Sequence, residues 1–274
     1  MIRVKDIIQW IDDWAPFRYA ESWDNCGLQV GSREAVVDKV IIALDPGAGV
    51  LKEARELGCQ CLLTHHPLLL RPIQSVQIDS WPGSIIAHAI SSGISIIAAH
   101  TNLDAAHEGT NAQLKSLLGL ETVSALEAEK GFSGDEQYLG LGLTGSLPRA
   151  VRLKTLAERL DNALGAAGVR MAGDPQRLVR RVAVCTGSGA SLLGRVVASG
   201  ADVFVTGDMK YHDWRLAEEA GLGVIDIGHF ASERIVLEPF AAFVRNKAKS
   251  ERVDLEVFIS RSEKDPFQVI AGKC

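Results

Sequence analysis

The chain repeats itself, and this restricts its fold more than any other feature of its 274 residues. VIIALDPG (40–47) aligns with VAVCTGSG (182–189), 142 residues later. At the same offset LLTHH (62–66) aligns with FVTGD (204–208). A helical pattern follows in each copy, SIIAHAISSG (84–93) and KYHDWRLAEEAG (210–221). Then ISIIAAH (94–100) corresponds to LGVIDIGH (222–229), with the offset slipped to 129. A period this long is not that of a solenoid, whose units run about 20–50 residues; duplication of a βαβ-type half is the simpler account. The expected fold is therefore α/β: two similar, interlinked halves, residues 1–124 and 125–274. Each is a mostly parallel or mixed sheet flanked by helices, and the C-terminal segment is free to pack back on the first half.

Local patterns agree. Val4 to Trp14 has apolar residues at helical spacing. SWDNCGLQVG (22–31) reads as a shaped turn entering a strand. Apolar strands at 40–44, 59–66 and 94–100 alternate with helices at 50–58 and 84–93, the pattern of a largely parallel sheet covered on both faces. The middle differs: GFSGDEQ (131–137) reads as a polar loop, YLGLGLTGSL (138–147) as a strand and VRLKTLAERLDNAL (151–164) as a helix. Gly140, Gly142 and Gly145 formally match GxGxxG. They sit inside the expected strand rather than between strand and helix, so a dinucleotide role is not expected.

Composition narrows the function. Hydrophobic residues at 47% and charged residues at 23% fit a globular protein. A net charge of −5 gives no basic footprint for nucleic acid, although a small anionic substrate remains compatible with a local positive site. No apolar run reaches the ~18–20 residues of a membrane span. MIRVKDIIQWIDDW carries acids where a signal peptide needs an apolar core, so a cytoplasmic protein is expected. The five cysteines (26, 59, 61, 185 and 274) are scattered and odd in number, which suggests no disulfide framework. Cys59 and Cys61 could put two thiols on one strand face, but their apolar surroundings favour a role as small buried hydrophobes.

The repeat also carries chemistry. His100 and Asp104 in one copy, and His229 and Glu233 in the other, form His-x3-carboxylate pairs directly after an apolar strand. His65-His66 and Gly207-Asp208 occupy matching strand ends, where α/β sheets bind ligands. Histidines and carboxylates together suit Zn, Mn, Fe or Ni. Adjacent residues of an extended chain point to opposite sides, so His65 and His66 suggest two ions about 3.5–4 Å apart. His88 reads as structural. His107 is close enough to Asp104 to orient it. His212 could face the same site or be exposed. Lys210 is a candidate contact for phosphate.

SWDNCGLQVG, LLTHHPLLL, AAHTNLDAAHEGTNAQL (98–114) and VFVTGDMKYHDWRLAEEAGLGVIDIGHFASE (203–233) together resemble the GTP cyclohydrolase 1 type 2 family, the NIF-three-like proteins. The motifs occur in family order. Cys26 stands where many members carry an aliphatic residue, a change expected to affect packing only. Residues 121–180 are too few for the inserted domain of longer members.

The resemblance implies a dinuclear divalent-metal centre in the cleft between the two halves, with His65, His66, Asp104, His229 and Glu233 as ligands and His100 beside it. It also implies a toroidal homohexamer, and hydrolysis of GTP to 7,8-dihydroneopterin triphosphate and formate. His100 or His212 would shuttle the proton, and Glu233 would act in catalysis as well as ligation. Nothing in the chain reads guanine. Another metal-dependent hydrolase, of phosphoesters or cyclic amides, and a non-catalytic metal-binding or interaction protein stay open as alternatives.

Overall fold

The computed structural model describes residues 1–126, 140–166 and 168–268. The chain divides into two compact units: Met1–Leu103 with Val236–Lys264, and Asp104–Ile235 with the residues after Lys264. The sequence repeat has its midpoint near residue 124. The contacts instead divide the chain inside the short helix Thr101–Ala105 and again before Val236.

The first unit is built on a five-stranded sheet, in the order Glu256–Ile259, Lys39–Ala43, Cys61–Thr64, Ser95–Ala98, Gly27–Val30. The first four strands run parallel and Gly27–Val30 is antiparallel to its neighbour. The central runs VIIA, CLLT and SIIA are buried throughout, as strands covered on both faces must be. The amphipathic helix Val4–Trp14 turns Val4, Ile7, Ile8, Trp10 and Ile11 inward. Helices Ala48–Leu57 and Gly83–Ser91 supply Val50, Leu51, Ala54, Ile85, Ile86 and Ala89 to a core shared with Ile41, Leu62 and Ile96.

The second unit has a six-stranded mixed sheet, in the order Glu121–Ala125, Leu143–Arg152, Leu178–Ser188, Val203–Gly207, Gly223–Asp226, Arg170–Ala172. Leu178–Ser188, Val203–Gly207 and Gly223–Asp226 run parallel, and each of the other strands is antiparallel to the strand it pairs with. Helix Leu153–Leu164 packs Leu153, Leu156 and Leu160 on Val182, Val203 and Ile225.

Both units thus show the expected α/β architecture, sheets flanked by helices. The expected loop at 131–137 and the start of the strand at 138 lie outside the described residues. Gly142 and Gly145 serve packing: a Cβ on Gly142 would lie 2.8 Å from both Leu126 and Leu192, and one on Gly145 3.0 Å from Leu120. The next helix begins only after the ten-residue strand Leu143–Arg152, so no phosphate-binding turn forms. No helix among the described residues is long and apolar enough to cross a membrane.

Candidate metal centre

In the first unit three parallel strands end side by side and deliver polar residues. Lys39–Ala43 leads to Asp45, Cys61–Thr64 to His65 and His66, and Ser95–Ala98 to His100. The ladder continues one step past the strands: the His65 amide donates to Ala43 O (3.2 Å), that of His66 to Leu44 O (2.8 Å), and that of Ala99 to Thr64 O (2.9 Å). The chain then bends, and the Thr64 hydroxyl donates to His66 O (2.8 Å). Because of this bend the adjacent imidazoles do not diverge as in an extended strand. Their centroids are 5.0 Å apart, and the His100 ring is 5.2 Å from His65 and 5.6 Å from His66. Each offers a ligand atom, and these atoms all lie within 4.8 Å of one another. Three imidazoles so placed suit a single ion as well as a pair.

Every ring has its Nδ1 side engaged by an oxygen. His65 Nδ1 lies 2.9 Å from Ala99 O, His66 Nδ1 2.8 Å from Asp45 Oδ1, and His100 Nδ1 3.0 Å from Asp24 Oδ1. Carbonyl and carboxylate oxygens accept, so Nδ1 carries the proton and Nε2 becomes the donor atom for a metal.

Asp24 is the firmest of these partners. Its side chain is fully buried, and it also accepts from the Thr101 amide (3.0 Å), the Thr101 hydroxyl and the Cys26 thiol (3.1 Å). Burial pushes its pKa up, but the bond and charge of His100, with the Thr101 and Cys26 bonds, outweigh it and hold Asp24 well below the usual carboxylate range. Cys26 therefore does more than pack. Burial, followed by the Asp24 charge, raises its thiol to about 12 and keeps it a donor.

Asp45 is held by its backbone. Glu263 accepts from the amides of Leu44 (2.8 Å) and Asp45, and burial above all raises the Glu263 pKa. Cys59 and Cys61 are buried, and desolvation lifts Cys59 to about 11 and Cys61 higher. Neither is a thiolate at neutral pH, which agrees with their reading as buried hydrophobes.

In the second unit Val203–Gly207 ends in Asp208, and Gly223–Asp226 leads to His229, the first residue of helix His229–Arg234. One turn places Glu233 on the same face: His229 Nε2 is 3.1 Å from Glu233 Oε1, and His229 Nδ1 is 2.7 Å from Asp208 Oδ2. The room for this pair is made by glycine. Gly187 has φ +63°, and a Cβ there would stand 2.2 Å from Glu233 Oε1. The Gly187 amide donates to the Ser232 hydroxyl (2.8 Å), which donates to His229 O (2.7 Å). Asp226 is buried and ties both loops together, accepting from the amides of Met209 (3.1 Å) and Gly228 (3.0 Å) and from Arg170.

Asp104 also belongs to this unit. It accepts from the Thr110 hydroxyl, which in turn receives the Thr186 hydroxyl (2.8 Å). His107 and His88 are exposed, as is His212, whose ring meets Tyr211 edge-on. Lys210 caps helix Tyr211–Glu219 through its amide, which donates to Asp213 (3.2 Å). The sequence reading did not single out Asp24, Asp45, Asp226 or Glu263. The one available signal was Asp24 in the unusual string WDNCG.

A model of the family Duf34/NIF3 (NGG1p interacting factor 3) matches residues 2–266. The chain belongs to the Duf34/NIF3 family. Among Duf34/NIF3 relatives, proteins named GTP cyclohydrolase 1 type 2 homolog are 35% identical over 269 residues in Clostridium perfringens, covering 98% of this chain and all of that one. In Streptomyces coelicolor the figure is 36% over 270 residues, covering 97% and 94%. The crystal structure of a Bacillus cereus protein related to NIF3 superposes with a TM-score of 0.92 at 25% identity, over 98% of this chain and 99% of that one. His65, His66 and His100 thus form, within the Duf34/NIF3 fold, a group able to hold a metal ion.

Proposed function

We propose that the chain binds two divalent metal ions through His65, His66, Asp104, His229 and Glu233 and uses them to hydrolyse a small anionic substrate. The observation that carries this reading is the shared Nδ1 arrangement: His65, His66, His100 and His229 each commit Nδ1 to an oxygen, the pattern that orients metal-ligating histidines. The donor set fits Zn, Mn, Fe or Ni. Bound divalent ions would supply Lewis-acid polarisation and a nucleophilic water at neutral pH.

The remaining roles belong to the chain. Asp45 and Asp208 hold the rings of His66 and His229 in one tautomer. Thr110 fixes the Asp104 carboxylate. His100, locked on Asp24, presents Nε2 to accept the proton released as water adds to the substrate. The support for proton transfer falls on His100 rather than His212, because its ring lies in the imidazole group.

The names of the relatives point to GTP as substrate, with 7,8-dihydroneopterin triphosphate and formate as products. The test is turnover of GTP by protein loaded separately with Zn, Mn and Fe, followed as fluorescent pterin after oxidation, with Glu233→Ala alongside. Pterin from wild type and none from the variant is the expected result. Metal content and rate unchanged in Glu233→Ala would overturn the ligand set. Absence of pterin from metal-loaded wild type would overturn GTP as substrate.

The toroidal homohexamer belongs to the same proposal. Exposed Ile78 and Trp81 supply apolar surface for it, and light scattering should give about six times 29.5 kDa.

A further inference from the structure

Trp23 is 57% exposed, yet it sits on a turn held by hydrogen bonds on both sides of it. The turn closes with the Asp24 amide on Glu21 O (2.9 Å), and the Glu21 amide is held by the Thr101 hydroxyl (2.9 Å). Asp24 itself is buried against His100 and Thr101, and the Asn25 amide side chain donates to Leu69 O (2.6 Å). The indole therefore projects from a fixed base. Its centroid lies 6.1 Å from that of His100 at 76°, so the ring stands beside the imidazole group.

The other tryptophans do not share this position. Trp10 donates to Glu251, Trp14 stacks on Phe243, and Trp214 donates to Met209 O. Trp81 is also exposed, but among the described residues only Trp23 pairs an exposed indole with a histidine of the imidazole group.

A large rigid aromatic surface beside a reaction centre is suited to stacking a planar ring, and holding it in place beforehand removes an ordering cost from binding. The hydrolysis proposed above opens a ring, so the ring must come to the histidines.

We propose that Trp23 is a specificity-determining platform that stacks the heteroaromatic base of a nucleotide substrate beside His100. This rests on the reading of the imidazole group as the reaction site. Stacking recognises the π-face of a base, so Trp23 would discriminate nucleotides from non-aromatic phosphates rather than one purine from another.

The experiment uses the full-length metal-loaded protein and two variants, Trp23→Leu and Trp23→Phe. Calorimetric titrations with GTP and with inorganic tripolyphosphate are run beside metal analysis and light scattering. Trp23→Leu should weaken GTP binding about 10-fold or more, from the usual strength of base–aromatic stacking. Trp23→Phe should keep most of the affinity, and tripolyphosphate should bind all three proteins alike.

GTP affinity unchanged in a metal-replete Trp23→Leu protein would overturn the platform. So would an equal loss for tripolyphosphate, or a change of oligomeric mass with GTP binding intact, which would make Trp23 a subunit contact. Wild-type protein that holds no metal, while still binding GTP through Trp23, would instead sink the metal reading and leave the platform standing.

Discussion

The two units fix a histidine–carboxylate pair by opposite means. In the first, His100 meets an Asp24 that is fully buried and holds four further donors. In the second, His229 meets an Asp208 whose side chain is 44% exposed and whose backbone is held at φ +54°. One pair is rigid because many bonds converge on it. The other is strained, its backbone in a left-handed conformation that L-residues disfavour, and is held there by Asp226 on one side and the closely packed Gly207 on the other. Removing a partner should therefore cost stability in the first unit and geometry in the second.

The largest expected effect lies in the second unit. In Gly187→Ala a Cβ enters the space of the Glu233 carboxylate from a residue at positive φ. Stability should fall by roughly 2 kcal/mol or more, and metal content should drop with it. Thermal unfolding and metal analysis check this; an alanine variant with full metal content would show that Glu233 need not stay where it is.

Asp24→Ala should come next. It deletes buried, charge-assisted bonds and strands the Thr101 amide, at a cost of about 2 kcal/mol in chemical denaturation. The matched change, Asp208→Gly, separates the two strategies. Stability should hold or rise by up to about 1 kcal/mol as the left-handed strain is relieved. Metal affinity should fall about 10- to 100-fold as His229 loses its orienting partner. If both variants lose stability equally, the contrast between the units is wrong.

The smallest effects are in pH dependence, and here two carboxylates of the same unit oppose each other. Asp24 is held below its ordinary value of 3.8, so its contribution is complete above about pH 4 and disappears as pH falls toward its folded pKa. Glu263 is raised above its ordinary 4.5, so its contribution is complete below that value and is lost as pH rises through its folded pKa. Unfolding followed from pH 3 to 7 should show Glu263→Gln gaining on wild type as pH rises. A variant curve parallel to wild type would remove Glu263 from the account.

The α/β elements were legible because their signals are local. Runs such as VIIA and SIIA are too apolar for an exposed position, and helix Val4–Trp14 shows its buried face in its spacing. The histidines and carboxylates stood out as a repeated pattern at strand ends. Of their orienting partners only Asp208 did, at the strand end that matches His65-His66, and nothing tied it to His229. Asp24 lies 76 residues from His100, and Asp45 and Asp208 each lie 21 residues from theirs. Nothing in a linear string links an aspartate to a ring that far away. The bend that turns His65 and His66 together is equally invisible, because it depends on the Thr64 hydroxyl reaching back to His66 O. The strand Glu256–Ile259 is short and half-buried, and only its pairing with Lys39–Ala43 gives it away.

That late pairing has a consequence for synthesis. The first unit begins with Met1–Leu103, yet its outer strand and Glu263 are synthesised only after the whole of Asp104–Ile235. Until they emerge, the edge of Lys39–Ala43 is an open template for other strands, and the loop bearing Asp45 lacks its anchor. The nascent chain thus carries His65, His66 and His100 before the last support of one of them exists. Orientation of His66 is completed only once Glu263 is made, so a chain truncated before it would possess its imidazoles but hold them less firmly.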